Sequence, residues 1–214
     1  MTTTISMLNN NKDPVLVYIT LGATPGCCQD VANITTSSGV TITKIADLMG
    51  SFTLLPQQTT EFSVPAPQGL NGNFSFGTPP LNCPTPDFPE GVNLAEFIIN
   101  NGFQVNGQET VDISCVCGAN AFVEFQLSTD DWNDGTNWGI RDIKNKTRFD
   151  NTGISGVYPY SCDNCTASTN PPVCIGQHPQ FANTSPICNV QRPSGNNKGG
   201  KILVIFHGMT PVPL

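Results

Sequence analysis

Charge is what this chain has least of. Asp, Glu, Lys and Arg together make up 12% of its 214 residues, about half of the roughly 25% usual for soluble domains. The surface must therefore be covered largely by Asn, Gln, Ser and Thr, a neutral cover of the kind carried by extracellular and carbohydrate-facing proteins. Positive charge is scarcer still. Nine Lys and Arg stand against 16 Asp and Glu, for a formal charge of −7, so a polyanion is repelled at long range. No basic run offers a local exception: Lys144, Lys146 and Arg148 have Asp142 and Asp150 alongside, and Lys198 and Lys201 sit among glycines. These counts argue against a nucleic-acid partner.

Long apolar runs are also missing. Nothing approaches the roughly 20 continuous apolar residues of a membrane helix, so no membrane span is expected. The first residues, Met1-Thr-Thr-Thr-Ile-Ser-Met-Leu-Asn-Asn-Asn-Lys12, lack the charged start and apolar core of a signal peptide. Nor does any segment carry the 3.6-residue periodicity of a long amphipathic helix, which 18 prolines and 20 glycines would oppose.

Cysteine, by contrast, is plentiful: nine residues, at 27, 28, 83, 115, 117, 162, 165, 174 and 188. That density points to an extracellular or otherwise oxidising environment, with up to four bridges and one thiol left over. Adjacent cysteines bridge each other only with strain, so Cys27 and Cys28 are expected to pair elsewhere.

What fills the chain is short β-type runs separated by Pro, Gly and Asn clusters. They are Val15-Leu-Val-Tyr-Ile-Thr-Leu21, Val40-Thr-Ile-Thr43, Ser51-Phe-Thr-Leu54, Thr60-Glu-Phe-Ser-Val64, Asn73-Phe-Ser-Phe76, Ala95-Glu-Phe-Ile-Ile99, Val111-Asp-Ile-Ser-Cys115, Phe122-Val-Glu-Phe-Gln-Leu127 and Ile202-Leu-Val-Ile-Phe206. Many short strands with regular turn signals predict a mainly β sandwich. Residues 130–200 differ, being polar, rich in proline and asparagine, and holding four cysteines. We expect a sandwich core of residues 1–129 and 201–214, with 130–200 as a cysteine-rich loop subdomain inserted before the last strand.

Alternation places Glu96 on one face of its strand and Asp112 on one face of the next. If the two strands pair as a hairpin, these carboxyls approach each other across a concave surface. A carboxyl pair in a cleft is what glycoside hydrolysis needs, one as acid and one as base or nucleophile.

The order Leu94-Ala-Glu-Phe97, a loop, Asp112-Ile-Ser114, Gly118-Ala-Asn120 and a following strand resembles the central segment of thaumatin-like proteins. Further pieces agree in order: 54–64, Gly69-Leu-Asn-Gly-Asn-Phe-Ser-Phe76, Gly156-Val-Tyr-Pro-Tyr160 and the closing run at 202–206. The resemblance implies a flattened β-sandwich, a disulfide-containing loop-rich subdomain, and a cleft between them. In that family the cleft is often acidic, and some members bind or slowly hydrolyse β-1,3-glucans. Glu96 and Asp112 fall on two of its cleft acids. Three departures stand out. Cys117 occupies a position where the family often has Asp, Phe76-Gly-Thr78 stands where it has Trp-Gly-Arg, and the cysteine pattern is thinned.

We therefore expect a carbohydrate-binding protein of the β-1,3-glucan type, with Glu96 and Asp112 as candidate catalytic residues for weak glucanase activity. The alternative is a non-catalytic structural or interaction protein on the same fold, with a protein partner instead of a polysaccharide. Glu124, Asp130 and Asp131 are candidates to replace the missing cleft charge. Trp132 and Trp138 are candidates for stacking on a sugar ring. The run Asp130-Asp-Trp-Asn-Asp-Gly135 fails the EF-hand pattern, with Trp132 at the third position and Arg141 at the twelfth. Cys162-x2-Cys165-x8-Cys174, with His178 and Cys188 beyond, has zinc-knuckle spacing but no second paired knuckle. It reads better as disulfide staples, so neither a metal nor another cofactor is expected.

Overall fold

The structure, a computed structural model, describes residues 2–82, 84–85, 87–101, 108–146, 151, 154–158, 160, 190–192 and 199–210. Fourteen strands follow in order among them: β1 (Thr3–Asn9), β2 (Val15–Leu21), β3 (Thr35–Thr36), β4 (Thr43–Ala46), β5 (Met49–Leu54), β6 (Thr59–Ser63), β7 (Leu70–Phe76), β8 (Leu94–Ile99), β9 (Glu109–Ser114), β10 (Ala121–Leu127), β11 (Asp142–Lys144), β12 (Val157–Tyr158), β13 (Val190–Arg192) and β14 (Gly200–Met209). They form two sheets. One has the order β11-β10-β14-β1-β6-β3; the other runs β12-β9-β8-β7-β2-β5-β4, with β13 also paired to β9. The architecture is the mainly β sandwich that the spacing of runs predicts.

Alternation explains the layering. In β2, Val15, Val17, Ile19 and Leu21 are buried while Leu16 is exposed, so one face of each strand turns to a shared core. Aromatic contacts mark where the sheets meet. Phe62 of the six-stranded sheet packs on Phe52 and Phe74 of the eight-stranded one, and Phe206 stacks on Phe76 at 5.0 Å. Each such buried ring stabilises the sandwich by about 1.5–3 kcal/mol.

The segment 130–200 contributes to both sheets. Its strand β11 pairs with β10, whereas β12 and β13 pair with β9. Trp132, Ile143, Val157 and Val190 belong to the same core cluster as the strands before residue 130. Cys162, Cys165, Cys174, His178 and Cys188, which carry the zinc-type spacing and the expected staples, lie outside the described residues, as does Cys83.

Cys27, Cys28 and Cys115 are free thiols. This corrects the expectation that Cys27 and Cys28 bridge elsewhere. The reason is packing. Cys27 is 3% exposed and the other two are fully buried, and Cys28 Sγ donates to the Asp30 carbonyl at 3.2 Å. They behave as small apolar core residues. Burial pushes the Cys27 thiol up to about 11, with Cys28 adding to the effect. It pushes Cys115 to about 12, with the charge of Asp112 behind it. Neither is a thiolate nucleophile near neutral pH.

One buried polar knot ties the first strand to β9 and β13. Arg192 Nε donates to Glu109 Oε2 at 3.0 Å, and its Nη2 makes an ion pair with the same oxygen. Nη1 reaches the Gly199 carbonyl at 2.6 Å and Thr129 Oγ1 at 3.2 Å. Thr3 Oγ1 donates to Glu109 Oε2 at 2.9 Å, and the guanidinium lies 4.9 Å from the Trp132 ring centre. A buried charge is tolerated only when paired in this way.

Candidate functional site

The outward face of the eight-stranded sheet holds the carboxyl pair. Strands β8 and β9 are antiparallel, and Glu96 stands directly opposite Asp112. Their inward neighbours Ala95, Phe97, Val111 and Ile113 fill the core, which forces both carboxyls outward on the same side. The register continues across the sheet: Asn73 of β7 is opposite Glu96, and Thr20 of β2 is opposite Asn73. The result is one polar row, Thr20–Asn73–Glu96–Asp112, running across four strands and spanning about 14 Å at roughly 4.8 Å per strand.

Asn73, Glu96 and Asp112 of the row border a recess of about 270 Å³, lined also by Asn71, Ile98 and Thr110, among others. Asp112 is 8% exposed. Two atoms of the row are buried without a hydrogen-bond partner: Thr20 Oγ1 and Asn73 Oδ1. Each such atom costs about 1–3 kcal/mol of desolvation that nothing in the described chain returns.

The two carboxyls are hydrogen-bonded to each other. Burial pushes Asp112 well above the usual carboxylate range, and the neighbouring charge of Glu96 and their hydrogen bond push it further. Burial also raises Glu96, while its hydrogen bond with Asp112 works the other way. No described cation acts on either group. Like carboxyls side by side with no counter-charge resist ionising together.

Contact at hydrogen-bond distance has a chemical consequence. Retaining glycosidases keep their two carboxyls about 5–5.5 Å apart and inverting ones about 6.5–9.5 Å. A pair closed on itself leaves no room for a glycosidic bond or a water between its members.

No family model matches the chain, and no curated protein sequence does. A solved structure of a thaumatin-like xylanase inhibitor, TLXI, aligns over 94% of this chain and 97% of that one, with 10% identity and a TM-score of 0.43.

The remaining candidates lie apart from the row. Glu124 is on the outward face of the other sheet, because Val123 and Phe125 beside it point into the core. There its Oε2 is 2.7 Å from His207 Nε2 and 3.5 Å from Lys144 Nζ, and Gln126 donates to Oε1 at 2.7 Å. Burial alone would raise Glu124, but Gln126, His207 and Lys144 together hold it below its ordinary value. It cannot serve as the missing charge beside Glu96.

Asp131 and Trp132 are both buried, at 5% and 1% exposure. Asp131 lies 3.7 Å from Arg192 Nη1, and Trp132 has that guanidinium over its ring, so neither presents a surface to a sugar. Asp130 and Trp138 are exposed, Trp138 at 64%. Asp134 closes its own turn instead, accepting from the Thr136 and Asn137 amides at 2.9 and 2.6 Å and from Ser155 Oγ. Cys117 donates to the Asn82 carbonyl at 2.7 Å.

Residue-by-residue reading missed Thr20 and Asn73. Both alternate with core residues, Ile19 and Leu21 in one strand and Gly72 and Phe74 in the other. Only the register across strands shows that they extend the Glu96–Asp112 line.

Proposed function

We propose that the protein is a thaumatin-like carbohydrate-binding protein that takes a neutral polysaccharide of the β-1,3-glucan class into the recess beside Glu96 and Asp112, binding it without efficient turnover. The observation that carries this reading is the polar row, in which Thr20 Oγ1 and Asn73 Oδ1 are buried without partners and the two carboxyls have only each other. A sugar hydroxyl both donates and accepts, so it suits a hydroxyl, an amide oxygen and a protonated carboxyl alike. The row is longer than one sugar ring, which favours a chain over a monosaccharide. Closure of the carboxyl pair supports binding over hydrolysis, and the hydroxyl- and amide-rich composition agrees with a sugar-facing surface.

The test is retention on insoluble β-1,3-glucan, with reducing-end release measured alongside, for the parent, Glu96→Gln and Thr20→Val. We expect the parent to be retained with little or no release. Loss of one hydrogen bond worth about 1–1.5 kcal/mol should weaken each variant roughly five- to tenfold. Thr20→Val removes an unsatisfied buried hydroxyl, so it should also unfold at higher urea, a combination that no general damage to the fold produces. Equal retention of all three proteins would place the glucan elsewhere. Release that vanishes in Glu96→Gln would make the pair catalytic. Absence of both retention and release would favour the structural or interaction reading.

A further inference from the structure

We propose that Trp138 is a stacking platform on the same face as the recess, and that the two together form a site for a linear oligosaccharide rather than a short sugar. This site rests on the binding reading above; what it adds is a minimum ligand length and the residue that sets it.

The sheet register leads from the recess to Trp138. Asn71, Ile98 and Thr110 line the recess, and each stands opposite the next across β7, β8 and β9. Thr110 is in turn opposite Gln191 of β13. Gln191 then bridges Asn133, and Asn133 bridges Trp138. Residues directly opposite each other share one face of a sheet. Trp138 therefore stands on the face that holds the recess, three strand steps beyond Thr110, or about 14 Å at roughly 4.8 Å per step.

The backbone that presents it is fixed. Asn133 and Gln191 exchange both amide–carbonyl hydrogen bonds at 2.8 Å, and Asn133 Nδ2 donates to the Gln191 carbonyl at 3.1 Å. On the other side, the Gly139 amide donates to the Trp132 carbonyl at 2.9 Å and the Asp134 amide to the Asn137 carbonyl at 3.2 Å. One arm of this turn is anchored in the core by Trp132, which is 1% exposed, whereas Trp138 at the other arm is 64% exposed. An indole held out to water by a pinned turn offers a flat apolar face to the C–H side of a sugar ring. Little ordering cost then falls on binding.

The class of ligand follows from the spacing. A molecule that touches both the recess and Trp138 must cross Thr110, Gln191 and Asn133, so it is a chain of several rings lying across the strands. A disaccharide reaches one point only. The side chains along the way are a hydroxyl and two amides, which suits a neutral chain rich in hydroxyls.

The test compares binding of the β-1,3-linked disaccharide and hexasaccharide of glucose by the full chain, Trp138→Ala and Trp138→Tyr, using calorimetry and acrylamide quenching. The chain has two tryptophans, and with Trp132 buried, the quencher reads Trp138. We expect the hexasaccharide to bind the parent more tightly than the disaccharide and to shield Trp138, while the disaccharide leaves quenching unchanged. Trp138→Ala should weaken hexasaccharide binding roughly three- to tenfold, the size of one aromatic contact, and leave the disaccharide unaffected. Trp138→Tyr should restore most of the loss. An unchanged urea midpoint in Trp138→Ala separates a lost contact from a damaged fold. Hexasaccharide affinity equal to the parent's, or quenching that the hexasaccharide does not alter, would overturn the platform and leave the recess reading standing. An equal loss for both sugars would make Trp138 structural and overturn it too. Absence of any binding by the parent would overturn the platform and the recess reading together.

Discussion

At the scale of single residues, the informative feature is how differently the buried acids of this chain are treated. Glu109 has a guanidinium, Asp134 has four backbone or side-chain donors, and Asp112 has only another carboxyl. Their contributions to stability therefore run in opposite directions with pH. Burial and the neighbouring charge raise Asp112 and burial raises Glu96, so between the ordinary carboxylate value, about 4, and their folded values the native state binds more protons than the unfolded one. The pair's contribution is fully present below about pH 4 and declines as pH climbs through that window. For Asp134 burial alone would raise the carboxyl, but Ser155, Asn137 and Thr136 hold it below its ordinary value. Its contribution is present at neutral pH and lost as the solution is acidified. The prediction is that urea-unfolding free energies of the parent and Asp112→Asn, compared from pH 4.5 to 8, diverge with pH, the parent losing up to about 1.4 kcal/mol per pH unit for each proton retained. Parallel pH profiles for the two proteins would mean that Asp112 is an ordinary ionised carboxylate.

At the scale of elements, the site depends on how β8 and β9 are held in register, and a glycine contact just beyond them does part of this. Gly91, before β8, and Gly118, after β9, form an antiparallel bridge. A Cβ on Gly118 would stand 2.1 Å from the Glu90 carbonyl oxygen, and the residue has φ of +95°. Gly118→Ala therefore meets both a backbone collision and a disfavoured dihedral, the second alone costing about 1–3 kcal/mol. We expect a loss of at least that size in urea melts, together with weaker glucan retention because the Glu96–Asp112 register loosens. An alanine variant as stable as the parent would show that the bridge is not a clamp.

Much of this level was legible in the sequence. The run at Val15–Leu21 matches β2 as observed, and the hairpin logic that sets Glu96 against Asp112 follows from alternation alone. Among the strands that escaped was β1, whose inward positions include Thr3 and Asn9 beside Ile5 and Met7. A polar residue satisfied by tertiary partners, as Asn9 is by the Asp13 and Leu54 carbonyls at 2.9 and 3.1 Å, breaks the apolar alternation on which strand recognition rests. The exposed edge strand β4 was displaced for the related reason that all four of its residues face solvent. Trp132 was misplaced because its acidic neighbours suggest a surface turn, while its partner Arg192 lies 60 positions away and nothing local announces it.

At the scale of the whole molecule, the decisive pairing joins the two ends of the described chain. β1 runs parallel to β14 over seven residue pairs, from Thr3 opposite Gly200 to Asn9 opposite Phe206, and β14 is flanked on its other side by β10. The central strand of the six-stranded sheet is therefore the last one described in sequence. Until it docks, β1 and β10 present open edges, and Ile5, Met7, Val123 and Phe125 lack the neighbours Ile202, Val204 and Phe206 that close the core. Pairings this distant in sequence carry a large loop-closure cost before they stabilise anything, which slows folding. A chain ending at residue 199 should consequently show no cooperative urea transition, although it keeps the whole Thr20–Asn73–Glu96–Asp112 row. The full chain should refold in milliseconds to seconds, in one phase that includes the burial of Trp132. Circular dichroism and tryptophan fluorescence of the two proteins, compared through the same urea series, decide the matter. A sigmoidal transition in the shorter chain would mean that the eight-stranded sheet folds as a unit without its partner, and that β14 completes the sandwich rather than licensing it.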